Sequence, residues 1–139
     1  MREIKYRMWN KKEKKMYDVG VLDFDDKKAY MKGYLNYTKS SYLYEDIELM
    51  QFTGLYDKNG KEIYEGDIVS KETFDDTKPN YRDISYAKVV WIEELASYHL
   101  VNKDDKILWD LASDKYNIEV ASNIYENSDL LKGADNIEL

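Results

Sequence analysis

Apolar and charged residues alternate at the start of the chain, with Ile4, Tyr6 and Met8 set between Glu3, Lys5 and Arg7. A period of two places the apolar set on one side of an extended chain, so this segment is predicted as a strand with one buried face. A polar stretch at 10–15 follows, and Tyr17, Val19 and Val21 then alternate with polar or small residues. The two segments are predicted to pair as a hairpin, with lysines on its solvated tip.

From 29 to 44 the chain is rich in tyrosine (Tyr30, Tyr34, Tyr37, Tyr42, Tyr44), with Gly33 and a TKSS turn at 38–41. That composition suits short strands better than a helix. Glu45, Asp46 and Glu48 around Ile47 allow one helical turn before Leu49, Met50 and Phe52 lead into a strand ending at Leu55 or Tyr56. The next four residues, Asp57, Lys58, Asn59 and Gly60, contain Asn-Gly, a dipeptide that tolerates the positive φ angles of tight hairpin turns. Glu65, Gly66 and Asp67 read as a bend that redirects the backbone into a further strand at Ile68 and Val69.

Residues 70–83 hold Asp75, Asp76, the sole proline Pro79, and Asn80, and are predicted as a long exposed loop. Ile84, Tyr86 and 89–92 form a β-branched and aromatic strand, and Tyr98, Leu100 and Val101 another. Residues 107–111 fit a strand or a helical turn equally. Ile118, Val120 and Ile124 close the series as a final strand, with a short helix starting within 127–131.

Short strands separated by frequent turns predict a mainly β protein of antiparallel strands: an N-terminal sheet, a small C-terminal barrel of SH3-like or similar kind, and a short C-terminal helix. The chain reads as a single domain, 1–139, with a subdivision, if any, into 1–56 and 57–139. Its 139 residues suffice to bury roughly two thirds of the unfolded surface. With 43% hydrophobic residues, one proline and six glycines, it is globular rather than disordered.

Composition closes several routes. The absence of cysteine excludes disulfides, thiolate nucleophiles and thiolate metal sites, and fits a reducing cytoplasm. Neither a signal-peptide pattern nor an apolar run of membrane-spanning length occurs, so neither export nor a membrane is expected. The 21 basic and 28 acidic residues give a net charge of -7, which disfavours a polyanionic partner without closing off nucleic acid. The charge is uneven: residues 1–15 hold seven basic side chains against Glu3 and Glu13, whereas 61–139 hold nine against eighteen acidic ones.

The common catalytic patterns, GxSxG, GxGxxG, GxxxxGK[ST] and HExxH, are all missing from the sequence. His99 is the single histidine, so a site with two imidazole ligands cannot form, and a serine nucleophile would have only this base. The reading favoured here is a side chain on one face of a strand. Acidic pairs at Asp25/Asp26, Asp75/Asp76, Glu93/Glu94 and Asp104/Asp105 sit in apparent turns, where charges are ordinarily solvated. A carboxylate-metal enzyme would need Asp23, Asp67, Asp75 and Asp104 to converge. Asp23, Asp25 and Asp26 lack the spacing of an EF-hand. Glu65 and Asp67 read as turn formers, and no residue is assigned as catalytic, cofactor-binding or metal-binding. Fourteen tyrosines with Trp9, Trp91 and Trp109 are expected mainly in the core, with any exposed ones serving a protein interface rather than base stacking.

Three blocks, MREIKYRMWN at 1–10, LMQFTGLYDKNGKEIYEGDIV at 49–69 and NIEVASNIYENSDLL at 117–131, together resemble the YopX family of phage and prophage proteins. The central block is the most specific, through Leu49, Met50, Gln51, Thr53, Gly54, Leu55, Asp57, Gly60, Tyr64, Glu65, Gly66, Asp67 and Val69. Ser122 and Ser128 depart from the family pattern, where glycine and proline are common. The resemblance implies a small β-rich accessory protein acting in the bacterial cytoplasm, and carries no catalytic residues onto this chain.

The expected function is a non-enzymatic protein-interaction module, without cofactors, that forms a homo-oligomer or binds a host or phage protein. A basic start and an acidic remainder can associate head to tail. The alternative is a nucleic-acid-associated small barrel, or an acidic mimic of nucleic acid.

Overall fold

The computed structural model describes residues 2–33 and 41–133, and is mainly β as predicted. The chain divides into two compact units, Met1–Phe52 and Thr53–Leu139.

In the N-terminal unit, β1 (Tyr6–Asn10) and β2 (Lys15–Asp23) form the predicted hairpin, with Asn10 opposite Lys15. β3 (Lys28–Met31) and β4 (Ser41–Leu43) extend the sheet beyond β2, and β5 (Ile47–Tyr56) pairs with the other edge of β1. The helical turn foreseen near Glu45 is a single 3-10 turn, Tyr44–Asp46. Met8, Ala29 and Ile47 form the buried centre, flanked by Tyr17, Val19, Leu22, Leu49 and others. Burying each of the larger side chains stabilises the fold by roughly 1.5–3 kcal/mol. Two sequence expectations change here. Ile4 is exposed and precedes β1, because pairing with β5 begins only at Tyr6. Val21 is exposed as well, because a bulge around Gly20 places Val19 opposite Met31 and Val21 opposite Tyr30. The extra residue reverses the alternation and turns Leu22 toward the apolar cluster instead. Of the predicted tyrosine-rich strands, Tyr34, Tyr37 and residues 38–40 of the TKSS turn lie outside the described residues.

In the C-terminal unit, the last residues of β5 make a hairpin with β6 (Glu62–Tyr64). Five further strands, β7 (Asp67–Phe74), β8 (Arg82–Ile92), β9 (Ser97–Val101), β10 (Ile107–Asp110) and β11 (Ile118–Asn123), form a sheet in the order β10-β9-β8-β7-β11. This corrects the expected barrel: the sheet is open, with β10 and β11 at its two edges. Instead of pairing, the edges are joined through α1 (Leu111–Asp114) and a 3-10 turn, Lys115–Asn117. Leu111 is fully buried among Ile63, Val69, Ala87, Val89, Leu100 and Ile118. The ambiguous segment 107–111 is thus both a strand and the start of a helix, with the Asp110 side chain accepting from the Ser113 N–H at the junction.

The predicted loop 70–83 is also corrected. β7 and β8 remain paired out to Phe74 and Arg82, leaving only 75–81 as loop. Charged residues on a solvated ribbon resemble loop composition, and cross-strand hydrogen bonding decides the matter. The terminal helix is α2 (Leu130–Gly133), a single turn with Leu131 buried.

Candidate interaction surface

The segment 53–69 is an internally satisfied clasp. Asp57 is 5% exposed, and its Oδ1 accepts from the N–H groups of Asn59 and Lys61 at 2.8 and 2.9 Å. Its Oδ2 accepts from Val120 N–H at 2.9 Å, and Lys58 N–H donates to the Ile118 carbonyl at 3.1 Å. The turn thereby covers β11, an edge strand whose backbone groups would otherwise face water. Burial raises the Asp57 pKa, but the N–H groups of Val120, Lys61 and Asn59, helped by the Lys61 charge, outweigh it and hold the carboxyl below its ordinary range. Within the turn only Gly60 has a positive φ, +81°, and its N–H donates to the Asp57 carbonyl. Asn59 does not share the left-handed conformation that Asn-Gly suggested, so the loop is a three-residue type rather than a two-residue one.

The Glu65–Gly66–Asp67 bend is equally committed. Gly66 has φ +81°, donates to the Val89 carbonyl and accepts from Ile124 N–H, both at 2.9 Å. Asp67 is 1% exposed and accepts from Tyr64 N–H at 2.8 Å. Its role is that of a turn former, as expected from the sequence.

The suspected carboxylates occupy separate turns. Asp23 Oδ1 accepts from Asp25 and Asp26 N–H, Asp75 Oδ1 from Thr77, and Asp104 N–H donates to Asn102. Among the described residues no three acidic or imidazole groups assemble as a metal set. His99 lies on β9 with Ser97 Oγ 3.4 Å from Nδ1 and Asp110 Oδ1 3.9 Å from Nε2. Both separations are longer than the roughly 2.6–3.2 Å of a formed proton-transfer hydrogen bond. The other Asp110 oxygen accepts from Ser113, whose hydroxyl and then N–H draw the Asp110 pKa down against the opposing effect of burial. Asp110 thereby caps the start of α1.

Two further turns are exposed and carry charged side chains that form no ion pair among the described residues. In the N-terminal unit, the buried Asn10 side chain accepts from Lys12 and Glu13 N–H, and its carbonyl accepts from Lys14 N–H. Lys14 is held at φ +56°, a conformation costly for a residue with a Cβ. Glu13 is engaged by the Tyr17 hydroxyl at 2.5 Å, and this hydrogen bond, more than burial or charge, pushes the phenol up to about 12. Lys11 reaches Glu48 and the Glu45 carbonyl. Lys12, Lys14 and Lys15 are exposed and form no ion pair among the described residues. A hollow of about 420 Å³ beside Lys12 is lined partly by Tyr42, Glu45 and Asp46.

In the C-terminal unit, the 3-10 turn Glu93–Leu95 links β8 and β9, closed by Ala96 at φ +49° donating to the Glu93 carbonyl. Trp91 and Tyr98 face each other across the strands, edge to face with centroids 5.0 Å apart. Trp91 is 44% and Leu95 53% exposed. The sequence singled out Trp91 as a possible interface aromatic and Glu93/Glu94 as a solvated acidic pair, but did not join them into one tip with Leu95, because the aromatics belong to a strand pattern that reads as core. The signal available was Glu93-Glu94-Leu95, an apolar residue stranded in an acidic turn.

The architecture is that of a mainly β protein with two compact units, whose polar side chains are spent on turns. A family model described as YopX protein matches residues 5–132, and the chain belongs to the YopX family. Among solved structures it is similar to protein EF1440 from Enterococcus faecalis, with 23% identity and a TM-score of 0.63. The match covers 94% of this chain and 99% of that one, and shows a shared fold. No curated protein matches. Among the described residues, no helix is long and apolar enough to cross a membrane.

Proposed function

We propose that this chain is a non-enzymatic interaction module that self-associates, an accessory protein of phage or prophage type working in the cytoplasm of a bacterial host. The observation that carries the reading is the partition of charge between the two units. Residues 1–52 hold eleven basic and nine acidic side chains, an excess of two positive charges; residues 53–139 hold ten and nineteen, an excess of nine negative. Copies that present surfaces of opposite sign attract one another and find their register faster.

Sedimentation velocity from about 1 to 100 μM should show the mean mass rising with concentration, and less steeply at about 0.5 M salt than at about 0.05 M. A monomer at every concentration and salt refutes self-association. The exposed Lys12, Lys14 and Lys15 favour a second reading, contact with nucleic acid, and the acidic unit a variant in which it mimics nucleic acid. Binding to DNA or RNA at low salt that does not weaken as salt rises would contradict a phosphate-driven contact.

A further inference from the structure

We propose, on the basis of the self-association put forward above, that the β8–β9 tip is the anchor of the contact and that it receives the β1–β2 turn of a second copy. The tip has the composition of an interface centre, with Trp91 and Leu95 exposed beside Tyr98, since aromatic anchors dominate binding energy. It is also stiff. A single 3-10 turn closed by the Ala96 N–H holds it, so little conformational freedom is lost on docking. The side chains of Glu93 and Glu94 are exposed and have no ion-pair partner among the described residues, which leaves an apolar centre rimmed by negative charge.

The second copy supplies the complement. Lys12 and Lys14 stand on a turn pinned by Asn10, exposed and without an ion-pair partner among the described residues, with Lys14 in a backbone conformation that glycine would adopt at lower cost. Lysine stems lie along apolar surface while their ammonium groups reach carboxylates or ring faces. The chain makes that contact within itself: Lys71 Nζ sits 4.2 Å from the Trp109 ring centre while pairing with Asp114 at 2.7 Å. Trp91, with Glu93 and Glu94 two and three residues along the chain and all three exposed, offers an incoming lysine the same two kinds of group, an aromatic ring and a carboxylate.

The test measures dissociation constants of full-length variants by sedimentation equilibrium at about 50 mM salt, with thermal melts as the control for folding. Leu95→Asp is expected to weaken self-association at least about tenfold. Glu93→Lys/Glu94→Lys and Lys12→Glu/Lys14→Glu, all at exposed positions, should each weaken it alone. An equimolar mixture of these two charge-reversed proteins should restore association to within about threefold of wild type, because each copy then meets its opposite. If the wild type associates but the charge-reversed proteins associate equally well alone, or their mixture does not recover, this contact is wrong while self-association stands. A wild type that stays monomeric overturns both.

Discussion

The Asp57 turn and the β8–β9 tip are both short connections between antiparallel strands, yet they use their polar groups in opposite ways. Asp57 is buried and spends both carboxylate oxygens on three backbone N–H groups, one of them 63 residues away. The left-handed position there is glycine. At the tip, Glu93 and Glu94 project into solvent, the left-handed position is Ala96, and Leu95 is exposed. One turn has the chemistry of stability throughout, and the other carries costs that folding alone does not recover. Such an imbalance locates a candidate functional surface.

Breaking the first turn should have the largest effect. Asp57→Ala leaves the N–H groups of Asn59, Lys61 and Val120 without their acceptor, and is expected to cost about 3 kcal/mol in urea unfolding. The pH dependence follows from the depressed pKa. The carboxylate's stabilisation is complete above the ordinary carboxylate range, near about pH 4, and is lost as pH falls through the lower folded value. The stability gap between wild type and Asp57→Asn should therefore narrow in acid; a gap independent of pH would show that charge plays no part.

A smaller effect is expected where backbone, rather than a carboxylate, does the fastening. A Cβ on Gly20 would stand 3.0 Å from the Lys32 Cα, so Gly20→Ala requires that backbone to give by a few tenths of an ångström, at about 1 kcal/mol in thermal melts. The smallest effect has the opposite sign. Ala96→Gly should stabilise the fold by about 0.5 kcal/mol, since glycine adopts a positive φ without a Cβ clash. A destabilised Ala96→Gly would mean that the tip is shaped for stability after all, and the contrast between the two turns would fail.

These positions also mark how far the sequence could be read. The β1–β2 hairpin was legible because Tyr6, Met8 and Tyr17 repeat with the period of a strand. The Gly66–Asp67 bend was legible because glycine and aspartate have local backbone reasons to be there. Val21 was not, since a single bulged residue reverses every later position and leaves no compositional trace. Ser70–Phe74 was misread because an exposed ribbon draws its stability from long-range pairing with Arg82–Tyr86. The open edges at β10 and β11 were not legible, since which strands pair is a long-range matter, and the helical turn at Leu111 was not, since Leu111 looks alike in a strand and in a helix. The reach of Asp57 to Val120 is a tertiary contact that no local pattern encodes.

The contrast between clasp and tips can be measured on the wild-type chain by hydrogen exchange at low and high protein concentration. If the clasp serves stability and the tips serve association, raising concentration should slow exchange at residues 11–15 and 91–98 while leaving 57–69 unchanged. Exchange that does not depend on concentration at either tip, or that slows at 57–69 instead, would contradict the account.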